Sequence, residues 1–451
     1  MSVASTTQAG AVTEPAVAAK HPKGLYVLFF TEMWERFSFY TVGGMWALYV
    51  QNQQEGFGWP REQATSVWSW YQMFVYASPL FGGILADRKL GYRRSVMIGG
   101  FFFMAGHALL AVRSEPVMFA ALACLVIGNG FFKPNVSAMV GNLYPEGSHL
   151  KDRAYNIFYM GINVGALLAP IVAEVMVRNF GFHPAFFMGA LGMVFSVLIL
   201  WRNKRYVEEA DRRPGMKAPV STAAASVDAP PPGVSQQNHQ NPIDLVPDSR
   251  RVMALIVIYL VVIVFWMLFH QNQTTWTYFA DENTAWNVSG IISNAINPGW
   301  VILLTFPLIG FWGWLDKRGK EPSTPTKMAI GMCLTGLAYF VMYFAGKAGG
   351  DTGEVSPWWL ISAYGVITLG ELMLSPMGLS LVSKVAPIRL RGIMMGGWFL
   401  ATAIGNKLTG VGVYWDRMPH STFFAMLGGL SLVMAVVLML LLKPLKKAMP
   451  V

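Results

Sequence analysis

The sequence predicts an all-α membrane protein: twelve transmembrane helices in two six-helix bundles, with both termini cytoplasmic. Three observations carry this. Over 451 residues the chain is 54% hydrophobic and 13% charged, against about 25% charge in a typical soluble domain, so it has too little charge to cover a water-facing surface. Its apolar runs number twelve, and at about 20 residues per span they take roughly 240 positions, which the chain accommodates with tails and loops. Lys and Arg are also unevenly placed. Of 34, the segments on one side of these spans hold 26, counting Lys384 at the very end of the tenth span, the other side five, and three lie deeper inside spans, the asymmetry expected of cytoplasmic loops. A soluble enzyme, a disordered chain and a collagen-like chain are excluded. The net charge of +10 sits in short basic runs between spans, so it reads as topology rather than as a nucleic-acid site.

The elements follow in order. Residues 1–24 are polar and lack the apolar stretch of a cleaved signal, so they form a disordered tail and insertion begins with the first span. The spans fall at 25–50, 64–86, 95–112, 116–141, 154–177, 184–201, 252–280, 288–315, 328–345, 357–385, 392–415 and 422–442. The first six make an N-terminal bundle, 25–201, and the last six a C-terminal bundle, 252–442. Between them, 202–251 is rich in Pro, Ser, Gln, Asn and charge, with Pro230, Pro231 and Pro232 in a row, and reads as a flexible cytoplasmic linker. Residues 443–451 form a C-terminal tail. A weak repeat links the halves: Asp87-Arg88-Lys89-Leu90-Gly91 follows span 2 and Asp316-Lys317-Arg318-Gly319 follows span 8, with Asp87 read as a loop-to-helix latch. Paired six-span halves of this kind resemble the major facilitator superfamily, whose halves meet at a central substrate site. Cys124 and Cys333 both lie in apolar stretches, so no disulfide is expected.

A charge at bilayer depth costs about 2.5–3.5 kcal/mol or more, yet several are kept. In span 1, Glu32, Arg36, Tyr40 and Gly43 share one helical face and Glu35 lies beside it. Two acids and one base leave a spare carboxylate, for which Lys133 of span 4 is the expected partner. Lys133 sits in Gly128-Asn129-Gly130-Phe131-Phe132-Lys133-Pro134, where the proline kinks the helix and the glycines allow close approach of another helix. In span 10, Glu371 has no base in its own segment and is either protonated or met by a cation. Arg36 and Lys133 in one half and Glu371 in the other describe a dipolar chamber suited to a zwitterion.

These residues resemble a known family. Glu32-x-x-Glu35-Arg36-Phe37-x-x-Tyr40 is similar to the signature of proton-coupled oligopeptide transporters. So are Gly130-Phe131-Phe132-Lys133-Pro134-Asn135-Val136, Phe158-Tyr159-Met160-Gly161-Ile162-Asn163-Val164-Gly165 and Gly370-Glu371-Leu372-Met373-Leu374-Ser375-Pro376, in order from about residue 25 to 440. The resemblance implies that Arg36 and Lys133 hold the peptide carboxylate and Glu371 its amino terminus. Asn163 and Asn297 would bond a terminus or the backbone, and Tyr40, Tyr76 and Tyr159 would contact the peptide. Trp266 and Trp398 would shape its pockets, with Ser375 beside Glu371. Glu32 and Glu35 would carry the proton.

Two positions depart from the family pattern. Many members have an arginine where this chain has Gly43, and an acid where His270 follows Phe265-Trp266-Met267-Leu268-Phe269. The outer ion pair those residues form in the family is absent here, so outer closure is expected from packing or from His270 with another partner. His270 is also a candidate proton carrier, because its ordinary pKa lies near working pH. His107 reads as packing or local hydrogen bonding, and Lys407 either pairs with a helix end or lines the cavity. The implied function is import of di- and tripeptides with protons as the coupling ion. No cofactor, metal, nucleic acid or obligate protein partner is expected, and the location is a bacterial inner membrane. A carrier of nitrate or another small anion and a transport-inactive peptide sensor remain open on the same fold. No enzyme motif is visible.

Overall fold

The computed structural model describes residues 20–144, 150–211, 242–387 and 390–449; the expected N-terminal tail up to residue 19 and linker residues 212–241 lie outside them. The first half supplies α1 (Lys23–Gln51), α2 (Arg61–Leu85), α3 (Tyr92–Leu110), α4 (Glu115–Asn142), α5 (Leu150–Phe180) and α6 (Phe182–Arg202). The second supplies α7 (Asp248–Phe269), α8 (Thr275–Glu282), α9 (Ile296–Asp316), α10 (Thr324–Ala348), α11 (Pro357–Val385), α12 (Arg391–Leu408), α13 (His420–Leu440) and α14 (Leu442–Ala448). Among the described residues, eight helical stretches are long and apolar enough to cross a membrane, and the protein is an integral, multi-pass membrane protein.

Two hydrophobic cores form, one along residues 25–210 and one along 254–449. Each borrows one residue across the seam: Ile291 packs into the first core and Ala47 into the second. The bundle has a far end, carrying loops 52–60, 283–289 and 409–419, and a linker end, where α6 stops and α7 starts.

Small residues set the closest approaches. A Cβ on Gly82 of α2 would lie 1.9 Å from the Gly130 carbonyl oxygen of α4, so these backbones touch and Gly82 tolerates no side chain, while one on Gly130 would meet Ser78 at 3.0 Å. The two expected basic turns both end on a left-handed glycine, Gly91 at φ 80° and Gly319 at φ 63°, which supports the repeat. Asp87 is not the latch there. It is exposed and makes no hydrogen bond or ion pair among the described residues. Arg93 does that work with Asp211, through its N–H at 2.9 Å and its guanidinium at 3.5 Å.

The expected continuous span over 252–280 is broken. Helix α7 ends at Phe269, residues His270–Gln273 form a 3₁₀ turn, and α8 resumes at Thr275. At the break the Gln271 amide donates to the Thr409 carbonyl at 2.9 Å and its oxygen accepts from Thr275 at 3.0 Å, while the Thr277 hydroxyl donates to the Asn272 carbonyl at 2.8 Å, so side chains bond groups in and beside the turn. The spans read at 288–315 and 392–415 likewise carry 3₁₀ segments at the far end, Gly290–Ala295 and Thr409–Arg417.

Candidate functional site

On α1, Arg36 is gripped by both acids. It forms a two-pronged pair with Glu35, one arm at 2.6 Å, and its Nε lies 3.3 Å from Glu32. All three side chains are buried. The guanidinium also reaches Asn129 of α4 at 3.5 Å and lies 4.9 Å from the Phe39 ring. Asn129 donates in turn to the Val75 carbonyl at 2.7 Å, which ties the charge cluster to α2. One oxygen of Glu32 has no hydrogen-bond partner among the described residues.

The expected Lys133–carboxylate pair does not form. The Arg36 fork engages both acids from its own helix, one turn and one residue away. Lys133 instead places its ammonium 4.9 Å from the Tyr76 ring centroid, a cation–π contact. No carboxylate lies within 4.0 Å of it among the described residues.

The second core offers the opposite pole. Asn297 on α9 spends one amide on two acceptors of α11, Thr368 and Glu371, each at 2.9 Å. Glu371 is buried, and no base pairs with it among the described residues. Its carboxylate lies within electrostatic range of Tyr40, Tyr76 and Tyr159 of the first half, so it faces the seam and not lipid. Asn163 is buried and bonds the Tyr159 carbonyl at 2.9 Å inside α5. Ser375 is half-buried one turn beyond Glu371.

His270 connects the sides. Its ring stacks on Trp266 at 5.0 Å, and its nitrogens face the Trp266 carbonyl at 3.2 Å and the Tyr76 hydroxyl at 3.4 Å. Trp398 is buried edge-on to Tyr259 at 6.4 Å, a packing position against α7. His107 packs as expected, stacked on Phe103 at 6.3 Å.

Outward from His270, one face of α2 makes a polar ladder with the second half. Gln72 donates to Gln273 at 2.6 Å, Ser69 accepts from Lys407 at 3.1 Å, and Thr65 meets Tyr278 at 3.3 Å. At the rim Arg61 pairs with Glu282 and with Asp416, and Glu62 pairs with Arg417. Gly43 makes room: a Cβ there would sit 2.8 Å from the Gln273 amide nitrogen. Sequence reading missed this ladder, Asn129 and Thr368. The 3–4 spacing of residues 62, 65, 69, 72 and 76 was the available signal. Lys407 belongs to the ladder, a third outcome beside the two expected for it.

The two cations thus belong to the first half and the carboxylate to the second, Tyr40 and Tyr76 lie within electrostatic range of both Arg36 and Glu371, and the ladder bridges the halves at the far end. A model of the Major Facilitator Superfamily matches residues 28–410. The chain is 32% identical over 95% of its length to an uncharacterized transporter, YclF, of Bacillus subtilis, covering 95% of that protein. It is 32% identical to the peptide transporter YePEPT of Yersinia enterocolitica, with 95% of each chain covered. Among solved structures, a peptide transporter POT in complex with sulfate superposes with a TM-score of 0.83 at 31% identity, over 95% of this chain and 96% of that one. The chain belongs to the proton-coupled oligopeptide transporter family of the Major Facilitator Superfamily.

Proposed function

We propose that the protein is a proton-coupled symporter that imports di- and tripeptides by alternating access. The observation that carries this is the pair of opposed poles: Arg36 and Lys133 on one side of the seam, Glu371 held by Asn297 on the other. A peptide is a zwitterion whose charged ends are separated by its backbone, and it neutralises both poles at once. A nitrate-sized anion meets the cations but leaves Glu371 unserved. The relatives named as peptide transporters support the same cargo.

The twelve spans are counted by joining α7 with α8, the 290–295 turn with α9, and α12 with its 3₁₀ extension, and by leaving out the short α14. They form two six-helix bundles that rock about the seam in a bacterial inner membrane, with both termini cytoplasmic. The ladder along α2 closes the far end, so the site opens toward the linker end. Glu32 and Glu35 carry the proton. Protonating either weakens its hold on Arg36, which then meets the peptide carboxylate, so proton and peptide load together.

The test is uptake of labelled dialanine, trialanine and tetra-alanine into proteoliposomes under an imposed inward proton gradient. Di- and trialanine accumulate above their external concentration, tetra-alanine does not, and nitrate fails to compete. Competition by nitrate points to an anion carrier, and binding without flux to a sensor; either overturns the proposal.

A further inference from the structure

At the linker end, away from the seam, α14 folds back against α7 and leaves a groove of about 380 Å³ between them. Its floor is apolar, built by Met253 and Val257 of α7 with Leu441 and Leu445 at the α13–α14 corner. Its rim is cationic: Arg250 from the first turn of α7 and Lys447 from α14. Both are exposed, and neither has a carboxylate within 4.0 Å among the described residues. The neighbouring charges are otherwise engaged. Arg251 turns inward and donates to the Val385 and Ala386 carbonyls at 2.6 and 3.1 Å, with Asp248 3.9 Å away. Further apolar surface faces outside beside the groove, with Met253 of α7 at 61% and Leu440 at the end of α13 at 75% exposure.

An apolar trough with unpaired cations at its mouth, set where a spanning helix meets its polar end, complements an anionic amphiphile. A purely apolar partner would fill the floor and leave both cations bare. A free anion would satisfy the rim and leave the floor wet. We propose that this groove binds an anionic phospholipid, its phosphate between Arg250 and Lys447 and an acyl chain along Met253, Val257 and Leu441. Lys443 and Lys446, also exposed on or beside the same turn of chain, add to the local positive field. The inference needs the chain to lie in a bilayer but not to carry peptides.

Native mass spectrometry of the full chain, equilibrated with equal phosphatidylglycerol and phosphatidylcholine, tests it. The wild-type protein retains phosphatidylglycerol over phosphatidylcholine by about fivefold or more, as an ionic headgroup site requires. In the Arg250→Gln, Lys447→Gln double variant the ratio falls to about one, while Arg318→Gln with Lys320→Gln, at another basic turn, keeps the wild-type ratio. Thermal unfolding and gel filtration confirm that each variant is folded. Met253→Trp, which fills the trough, lowers retention of both lipids. Equal retention by the wild type, or an unchanged ratio in the double variant, overturns the proposal. So does a photoreactive group at position 253 that crosslinks to residues 212–241 or to a second copy instead of to lipid.

Discussion

At the scale of single residues, Arg36 decides what each substitution around it does. It holds Glu35 with two hydrogen bonds, Glu32 at 3.3 Å and Asn129 at 3.5 Å, so losing one partner does not strand it. Removing Arg36 would leave two buried carboxylates unpaired, the kind of change that costs about 3–5 kcal/mol. Glu35→Gln is therefore the informative variant. It keeps shape and burial and removes one titrating group. Gradient-driven dialanine uptake into liposomes should fall until the internal concentration only equals the external one, while exchange of internal for external peptide continues. Continued accumulation would show that the proton rides elsewhere, with Glu32 the next group to test. Lys133 marks the limit of residue-level reading. Its depth in the span was legible as a costly charge, but its neighbour was not, because only the fold decides whether a carboxylate or a tyrosine face lies within its reach.

At the scale of elements, the helices were legible wherever an apolar run was long, and the breaks were not. Gln271, Asn272 and Gln273 look like an ordinary polar end to a span. They form a 3₁₀ turn where the Gln271 side chain donates to the Thr409 carbonyl, far away in sequence, and accepts from the Thr275 hydroxyl. That turn aims Gln273 at Gln72, and the absence of a side chain on Gly43 gives it space. Near Gly43, where the family's outer ion pair would sit, this chain has a neutral amide pair, with ion pairs between the halves farther out at the rim. Cutting one amide leaves its partner buried and unsatisfied, at about 1–3 kcal/mol, whereas removing both is close to neutral. Gln72→Leu or Gln273→Leu alone should lower the unfolding temperature and lengthen the distance between spin labels at exposed Gln54 and Glu354 across the far end. The double variant should recover most of both. Gly43→Leu should mimic the single losses by displacing Gln273. If the singles and the double shift both readouts additively, the two amides do not act as one latch.

At the scale of the whole molecule, neither half recognises a zwitterion by itself. The cations belong to α1 and α4 and the carboxylate to α11, so the complete dipole exists only across the seam, with Tyr40, Tyr76 and Tyr159 within electrostatic range of Glu371. Blocking either end of a peptide should then weaken it by the loss of one charge-assisted contact, about 1.5–3 kcal/mol, or roughly 10- to 150-fold in competition against labelled dialanine. The two blocks report on different halves. N-acetyl-dialanine loses its contact with Glu371, and dialanine amide loses its contact with Arg36 and Lys133. Glu371→Gln should consequently weaken unmodified dialanine while leaving the acetylated peptide almost unchanged, so the wild-type gap between them closes. The amide should still be discriminated in that variant, because the cationic wall is intact. A Glu371→Gln protein that still prefers the free amine over the acetylated peptide by the wild-type factor would place the amine pole on some other residue, and the opposed-wall account of selectivity would fail with it.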